Sequence, residues 1–452
     1  MKLRSANRQR MIGLTAAAKL EAYYAAKPRY YGLLMTACKL RVNRLEALRC
    51  TIGATRRSVL SGPAVPFDAG LRISARVLVD APWGPRHSAL LLPVAAELAE
   101  KGISVAMAHH GRRRPTSTEH RLGEQSFPQF ESVTLPESSP RRFLRSLPSV
   151  AAYRKSLPWQ GLFGHAMALL ERDTDGCVSM WKAVLQRSNV RMVLTTYPHT
   201  GWTNALLYAS RELGIQCVFL QQGLQGGYFA KVPNCTAVVV WSRIGSTYVG
   251  KDGFRGRPII IARNPSTPKP EVTETLRKKR RSELGLAADD ICALLLGQVS
   301  TEYADLGDGY RRTCEVMGQG LSIAARSGRV VPFLRPHYRD LAGETEGVLR
   351  QYGLSKLLRS EAASLQEDIA AADIVLGMDS TAMEEAYLMG RPIVQTLAEG
   401  VDAYDFALLG VPVVRSPDEL ARLLVNRDWI AKRQQPPVLR SVAEEICGML
   451  ES

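Results

Sequence analysis

Long apolar runs are missing from this chain. No uninterrupted stretch approaches the roughly 20 residues that a helix needs to cross a bilayer, and the segment Met11 to Ala18 is cut by Lys19 and Glu21 before a signal-like core develops. A cytoplasmic protein is expected. Histidine is scarce, at seven residues, and the eight cysteines are scattered with no CxxC pair among them. A zinc site and a disulfide framework are therefore not expected, and cysteines such as Cys217, inside the apolar run Gln216 to Leu220, read as buried thiols of a reducing compartment. Repeats of solenoid length and polar low-complexity tracts are also lacking, which excludes repeat architectures and a disordered majority.

Acidic residues are nearly absent from the first 60 positions, where Glu21 and Glu46 stand against 13 Lys and Arg. That segment carries +11 of the formal +16, so the rest of the chain is only mildly basic. Leu20, Tyr23, Tyr24, Tyr30, Leu33, Leu34, Leu40 and Leu45 punctuate the basic residues and suggest short amphipathic helices. Two readings stand for them: attachment to an anionic membrane surface, at the inner face of the cytoplasmic membrane, or a helical layer packed on the next domain with a solvated basic face. No nucleic-acid motif accompanies the charge, so nucleic acid is not expected as a partner.

What is present is a chain of 452 residues, 46% apolar, long enough for two cores. From Ile73 onward, short aliphatic runs alternate with helical stretches, the signature of parallel sheets with crossover helices. Strands are expected at Arg76 to Val79, Ile103 to Ala108, Val190 to Leu194, Ile215 to Leu220, Ala237 to Trp241 and Ile259 to Ala262, and again at Ile291 to Leu296, Val330 to Leu334, Ile374 to Leu376 and Pro392 to Thr396. Between the two sets, Pro265, Pro268 and Pro270 argue for an extended connector over Asn264 to Thr275, followed by a solvated basic run from Lys278 to Arg281. The expected fold class is α/β: a helical extension over 1–70, a Rossmann-like acceptor domain over 71–263, a Rossmann-like donor domain over 276–430 facing it across a cleft, and a terminal helix over 431–452.

In such sheets ligands bind beyond the carboxyl ends of the strands, so chemistry is sought in the strand-to-helix loops. After Ile374 to Leu376 the chain reads Gly377-Met378-Asp379-Ser380-Thr381 and enters a helix, a place where backbone amides and the helix dipole attract phosphate. Thr381 and Glu384 also fit a capping box, which assigns Glu384 to helix capping. Phe333-Leu334-Arg335-Pro336-His337 leaves another strand with groups suited to phosphate oxygens, unless it is an incidental basic loop. Asp80 and His87, after the first strand, are candidates for a general base; the competing reading makes one a turn former and the other a helix-start residue. Thr196-Tyr197-Pro198-His199 is the reserve candidate, and His109-His110-Gly111 reads as a solvated loop or an acceptor-phosphate contact.

The run Glu385-Ala386-Tyr387-Leu388-Met389-Gly390-Arg391-Pro392 resembles the donor-domain motif of GT-B glycosyltransferases, an acid followed by a short helix and Gly-x-Pro. The Arg335-Pro336-His337 loop and the Ser380-Thr381 pair resemble those of bacterial surface-polysaccharide enzymes: polysialyltransferases, Kdo and capsule transferases, and CDP-glycerol phosphotransferases. Tyr338 stands where their loop has a proline, and Gln222, in Gln221-Gln222-Gly223, stands where they have histidine. The resemblance implies that Glu385 accepts the ribose hydroxyls and that Arg335, His337, Ser380 and Thr381 hold donor phosphate. Ser300 and Thr301, after the first strand of the second half, would meet phosphate or sugar.

The E-x7-E pair of many retaining members is absent, Gly377 standing eight residues before Glu385, which points to inversion. No DxD-like metal motif follows any of the expected strands, so no metal and no cofactor beyond the donor itself is expected. The implied activity is transfer of a sugar from a nucleotide sugar, CMP-linked in preference, to a glycan or lipid-linked acceptor. A sugar-nucleotide epimerase of the same fold and a non-catalytic, membrane-associated scaffold of a glycan-assembly complex remain as alternatives.

If the basic segment binds membranes, deleting residues 1 to 60 releases the protein from anionic liposomes at physiological salt; retention of the shortened protein on the vesicles counts against that role.

Overall fold

The computed structural model describes residues 72–80, 85–109, 131–134, 162–197, 201–223, 232–251, 254, 256–268, 270–298, 308–337, 340, 343–354, 357–362, 364–401, 403–431 and 437–451. The basic extension over 1–70, Ser300, Thr301, His110 and His199 lie outside them.

Two compact units emerge. The first comprises residues up to Val240, Tyr248–Pro265 and Ser441–Ser452; the second comprises Trp241–Thr247 and Ser266–Arg440. In the first, β1 (Val77–Asp80), β2 (Val105–His109), β3 (Glu131–Thr134), β4 (Met192–Thr195), β5 (Gln216–Leu220), β6 (Ala237–Val240) and β7 (Ile259–Ile261) form one parallel sheet, in the order β3-β2-β1-β4-β5-β6-β7. Helices α1 (Pro85–Glu100), α2 (Leu162–Leu185) and α3 (Gly201–Glu212) follow strands in turn, and α4 (Arg243–Lys251) leaves β6. Every residue of β1, β4 and β6 is buried, as a sheet covered on both faces requires. Helix α1 starts at Pro85, which a first turn accommodates because the missing N–H loses no hydrogen bond there.

In the second unit, α5 (Pro270–Glu283) precedes β8 (Ile291–Leu296), α6 (Gly309–Ala325), β9 (Val330–Arg335), α7 (Glu344–Gln351), β10 (Leu358–Arg359), α8 (Leu365–Ala371), β11 (Ile374–Gly377), α9 (Thr381–Leu388), β12 (Ile393–Thr396), β13 (Val413–Val414), α10 (Pro417–Asn426) and α11 (Asp428–Ala431). The parallel sheet runs β10-β9-β8-β11-β12-β13. The last helix, α12 (Val442–Glu451), belongs to the first unit, where Ser441 Oγ donates to Glu97 of α1.

Two expectations change. The connector foreseen over Asn264 to Thr275 stops short, because Pro270 opens α5 and, like Pro85, costs nothing in a first turn. The basic run within α5 is only partly solvated. Lys278 and Lys279 face water, but Arg277 donates to the carbonyls of Ala370, Ala371 and Ala372 at 2.9–3.2 Å, and Arg281 bonds Asp373 at 2.9 Å. Two guanidiniums thus satisfy the carbonyl end of α8, where a helix dipole favours cations. Beside them Asp368, fully buried, accepts from Arg280 Nε at 3.1 Å, from Ser360 Oγ and from Arg335 Nη1.

Helix α6 carries Gly318 and Gly320 on its packed face. A Cβ on Gly320 would lie 2.9 Å from the Leu420 side chain and 2.9 Å from the carbonyl of Pro417, so α10 seats directly on the glycine. Gly320→Ala is expected to force the helices apart and lower stability by about 1–3 kcal/mol, readable as a drop in Tm, despite alanine's better helix propensity.

Candidate functional site

Both sheets have a topological switch point, where the chain leaves one strand to one side and its neighbour to the other. In the second unit it lies between β8 and β11; in the first, between β1 and β4. Loops diverge there and open a crevice at the carboxyl ends of the strands.

At the second switch point three loops converge. Gly297, just past β8, donates its N–H to the carbonyl of Arg335 at 2.9 Å, and a Cβ on it would stand 3.0 Å from that oxygen and 3.1 Å from the amide of His337. Only glycine admits the Arg335–His337 loop this closely. The next residue, Gln298, is buried and joins the other lip: its Nε2 donates to the carbonyl of Asp379, while its own carbonyl accepts from Tyr310 Oη at 2.8 Å and Thr345 Oγ1 at 3.1 Å. Gln395 of β12 donates to the carbonyl of Met378 at 2.8 Å and fixes the same loop from beneath. Sequence reasoning passed over both glutamines, whose only signal is a polar residue at a buried strand end.

Ser380 is the N-cap of α9, its Oγ accepting from the Met383 amide at 3.4 Å, and Thr381 is the first helical residue. The foreseen capping box is therefore out of register by one residue. Glu384 falls at the fourth helical position, where its carboxyl turns inward: the residue is 0% exposed and its Oε1 accepts from Ser242 Oγ. Burial pushes its carboxyl up to about 7, against the opposing pull of the Ser242 hydrogen bond and helped by the charge of Glu385. Glu385, half-buried, accepts from Gln366 Nε2 of α8 at 3.2 Å. His337 is half-buried beyond β9, and its carbonyl receives the Asp340 amide at 2.8 Å. Arg335 turns away from this loop, its Nη1 bonded to Asp368 and to the carbonyls of Ala362 and Ser364 at 3.2 Å. The phosphate contact read for it from the sequence thus competes with an ion pair inside the protein.

At the first switch point the base candidates come together. Asp80, 3% exposed, accepts through Oδ2 from Thr203 Oγ1 at 2.8 Å and Thr195 Oγ1 at 3.2 Å. His87 sits in the first turn of α1, with Nδ1 2.7 Å from Thr196 Oγ1 and its ring edge-to-face with Tyr197 at 5.4 Å. Thr196 and Tyr197 of the reserve segment are therefore neighbours of His87.

No family model matches the chain, and no curated protein does. Solved structures match along nearly their whole lengths. UDP-GlcNAc 2-epimerase from Neisseria meningitidis bound to UDP-GlcNAc superposes with a TM-score of 0.53 at 13% identity, over 83% of this chain and 99% of that one. The UDP-GlcNAc 2-epimerase of Methanocaldococcus jannaschii gives 0.52 at 14% identity over 84% and 99%, and a glycosyltransferase from Rickettsia africae gives 0.50 at 10% over 84% and 97%. The fold is GT-B. At these identities the likeness is one of fold, two Rossmann-like units, and it is shared by transferases and epimerases alike.

Glu384 makes stability depend on pH. The folded carboxyl holds its proton up to about pH 7, against 4.5 for the ordinary group, so its contribution is full below 4.5, declines as pH rises and is lost above 7. Glu384→Gln is expected to remove about 3 kcal/mol of pH-dependent stability between pH 4.5 and 8. Urea titrations across that range check it; parallel curves for the two proteins count against it.

Proposed function

We propose that this protein is a nucleotide-sugar-dependent glycosyltransferase whose donor binds at the switch point of the second unit. The observation that carries the reading is the convergence there of the Gly297, Arg335–His337 and Gly377–Thr381 loops on the N-terminus of α9. Donor phosphate lies against the α9 amides, Ser380, Thr381 and His337, and Ser300 and Thr301, which follow β8 in sequence, are proposed as further contacts. Arg335, paired with Asp368, shapes the loop that carries His337 and adds positive potential. Glu385 accepts the two ribose hydroxyls; a carboxylate suits a diol, and Gln366 fixes its orientation. The leaving phosphate is stabilised by aligned dipoles that need no reorganisation during reaction.

In the first unit His87 is the proposed base. A proton taken at Nε2 produces an imidazolium whose Nδ1–H is held by Thr196. Asp80, engaged by two threonine hydroxyls, braces the β4 loop that carries Thr196. We propose inversion without a metal, and a glycan or lipid-linked acceptor of surface-polysaccharide assembly, reached at the inner membrane face through the basic extension. The Pro-His and Ser-Thr loops favour a CMP-linked donor.

The epimerase reading has its own support, because two of the three neighbours named above are UDP-GlcNAc 2-epimerases, one of them bound to UDP-GlcNAc. Incubation with CMP-linked and UDP-linked sugars, with and without lipid-linked acceptor, separates the two. Acceptor-dependent nucleotide release is expected; an epimer formed without acceptor favours the second reading, and indifference of the folded protein to every nucleotide sugar overturns both. Glu385→Ala should weaken nucleotide binding at least tenfold, about 1.4 kcal/mol, whereas His87→Ala should lower kcat by 100-fold or more with little change in donor affinity.

A further inference from the structure

Among the described residues no cation pairs with the carboxyl of Glu384, and it lies next to the helix end that the proposed donor phosphates use. It begins about 6 Å along α9 from the Ser380 cap. Its Oε1 accepts from Ser242 Oγ, and that hydroxyl also receives the Ile244 amide at 3.2 Å, so its one proton is directed at the carboxyl. Its Oε2 is buried with no hydrogen-bond partner among the described residues. The charged groups of the surrounding elements do not compensate it. On its own helix Glu385 repels it. On α8, Glu367 pairs with Lys279, and Asp368 with Arg280 and Arg335. Strands β11 and β12 bring no charged side chain, and Asp379 beyond β11 accepts the Tyr404 amide at 3.3 Å. From the first turn of α4, Arg243 acts on Tyr387.

A buried oxygen with no donor is costly as part of a carboxylate and tolerable as part of a neutral acid. Two adjacent carboxyls at a phosphate site also repel the ligand and each other, unless one keeps its proton while the other accepts the ribose diol. We propose that Glu384 is a proton-holding positioning residue of the nucleotide site: phosphate arriving at the α9 N-terminus draws a proton from solvent onto its carboxyl, which leaves Glu385 as the ionised, ribose-binding member of the pair. The proposal rests on the donor site placed above. It makes nucleotide affinity fall as pH rises through neutrality, with no titratable group on the nucleotide involved.

Calorimetric titration of the full chain with UDP-GlcNAc and with a CMP-linked sugar, in Tris and in HEPES, gives the proton count directly. A one-unit rise in the Glu384 pKa, the size expected of a phosphate charge within about 10 Å, corresponds to uptake of about half a proton per nucleotide near pH 7.5. Glu384→Gln should remove the half proton taken up by this carboxyl, leaving only the share of His337, and weaken the pH dependence of affinity between pH 6.5 and 8.5. Ser242→Ala, which keeps the acid and removes its hydrogen bond, should move the uptake to higher pH. Binding without uptake by the wild type, or equal uptake by Glu384→Gln, overturns the proposal and leaves the donor site intact. Failure of both nucleotide sugars to bind overturns the donor site and the proposal with it, while the stability titration of Glu384 distinguishes that outcome from a misread carboxyl.

Discussion

The second unit is organised around one buried carboxylate. Asp368 receives Arg280 from α5, Arg335 from the end of β9 and Ser360 from the chain after β10. Desolvating such an anion is costly, and only well-placed guanidiniums offset it, so the three elements have little latitude in how they meet. The consequences reach the crevice by two routes. Through Arg335 the carboxylate fixes the root of the loop bearing His337, and through α8 it places Gln366, which orients Glu385. The chemistry proposed for the site therefore depends on a residue that does not face ligand.

The parallel sheets were legible because their strands are buried on both faces and read as unbroken aliphatic runs; Ile291–Leu296 is strand residue for residue. What escaped was short or polar. Strand β3, Glu-Ser-Val-Thr, has no apolar run, and β10 and β13 are two residues each, recognisable only by their pairing partners. Within the site, the loops were found from their position after strands and from residue types that favour phosphate. The partners of individual side chains were not. Arg335 reads in sequence as an exposed phosphate ligand, yet its counter-ion lies 33 positions away, a separation that no local pattern encodes. Glu384 was misassigned for a similar reason, since Ser380 and Thr381 are equally good caps and a one-residue change in register decides whether the fourth residue after them points to water or to the core.

The pair Glu384 and Glu385 shows how environment, not residue type, assigns roles. They share a helix turn and a functional group, but α9 directs one into the interior against Ser242 and leaves the other half-buried against Gln366. The first is thereby biased toward the neutral acid, the form that costs least in the interior. A glutamate doublet at a helix start is thus better read as two different groups than as a reinforced acidic site.

The return of Ser441–Ser452 to the first unit bears on how the chain reaches its native state. Strands β1 to β7 are translated first, but α12, which covers α1, emerges only after the whole second unit has been made. The earlier half must wait on the ribosome with an apolar helix face uncovered, while the later half can close as soon as its own last helix appears. Order of synthesis and order of completion are reversed, and mutations in α12 would surface as folding defects in the half of the molecule farthest from them in sequence.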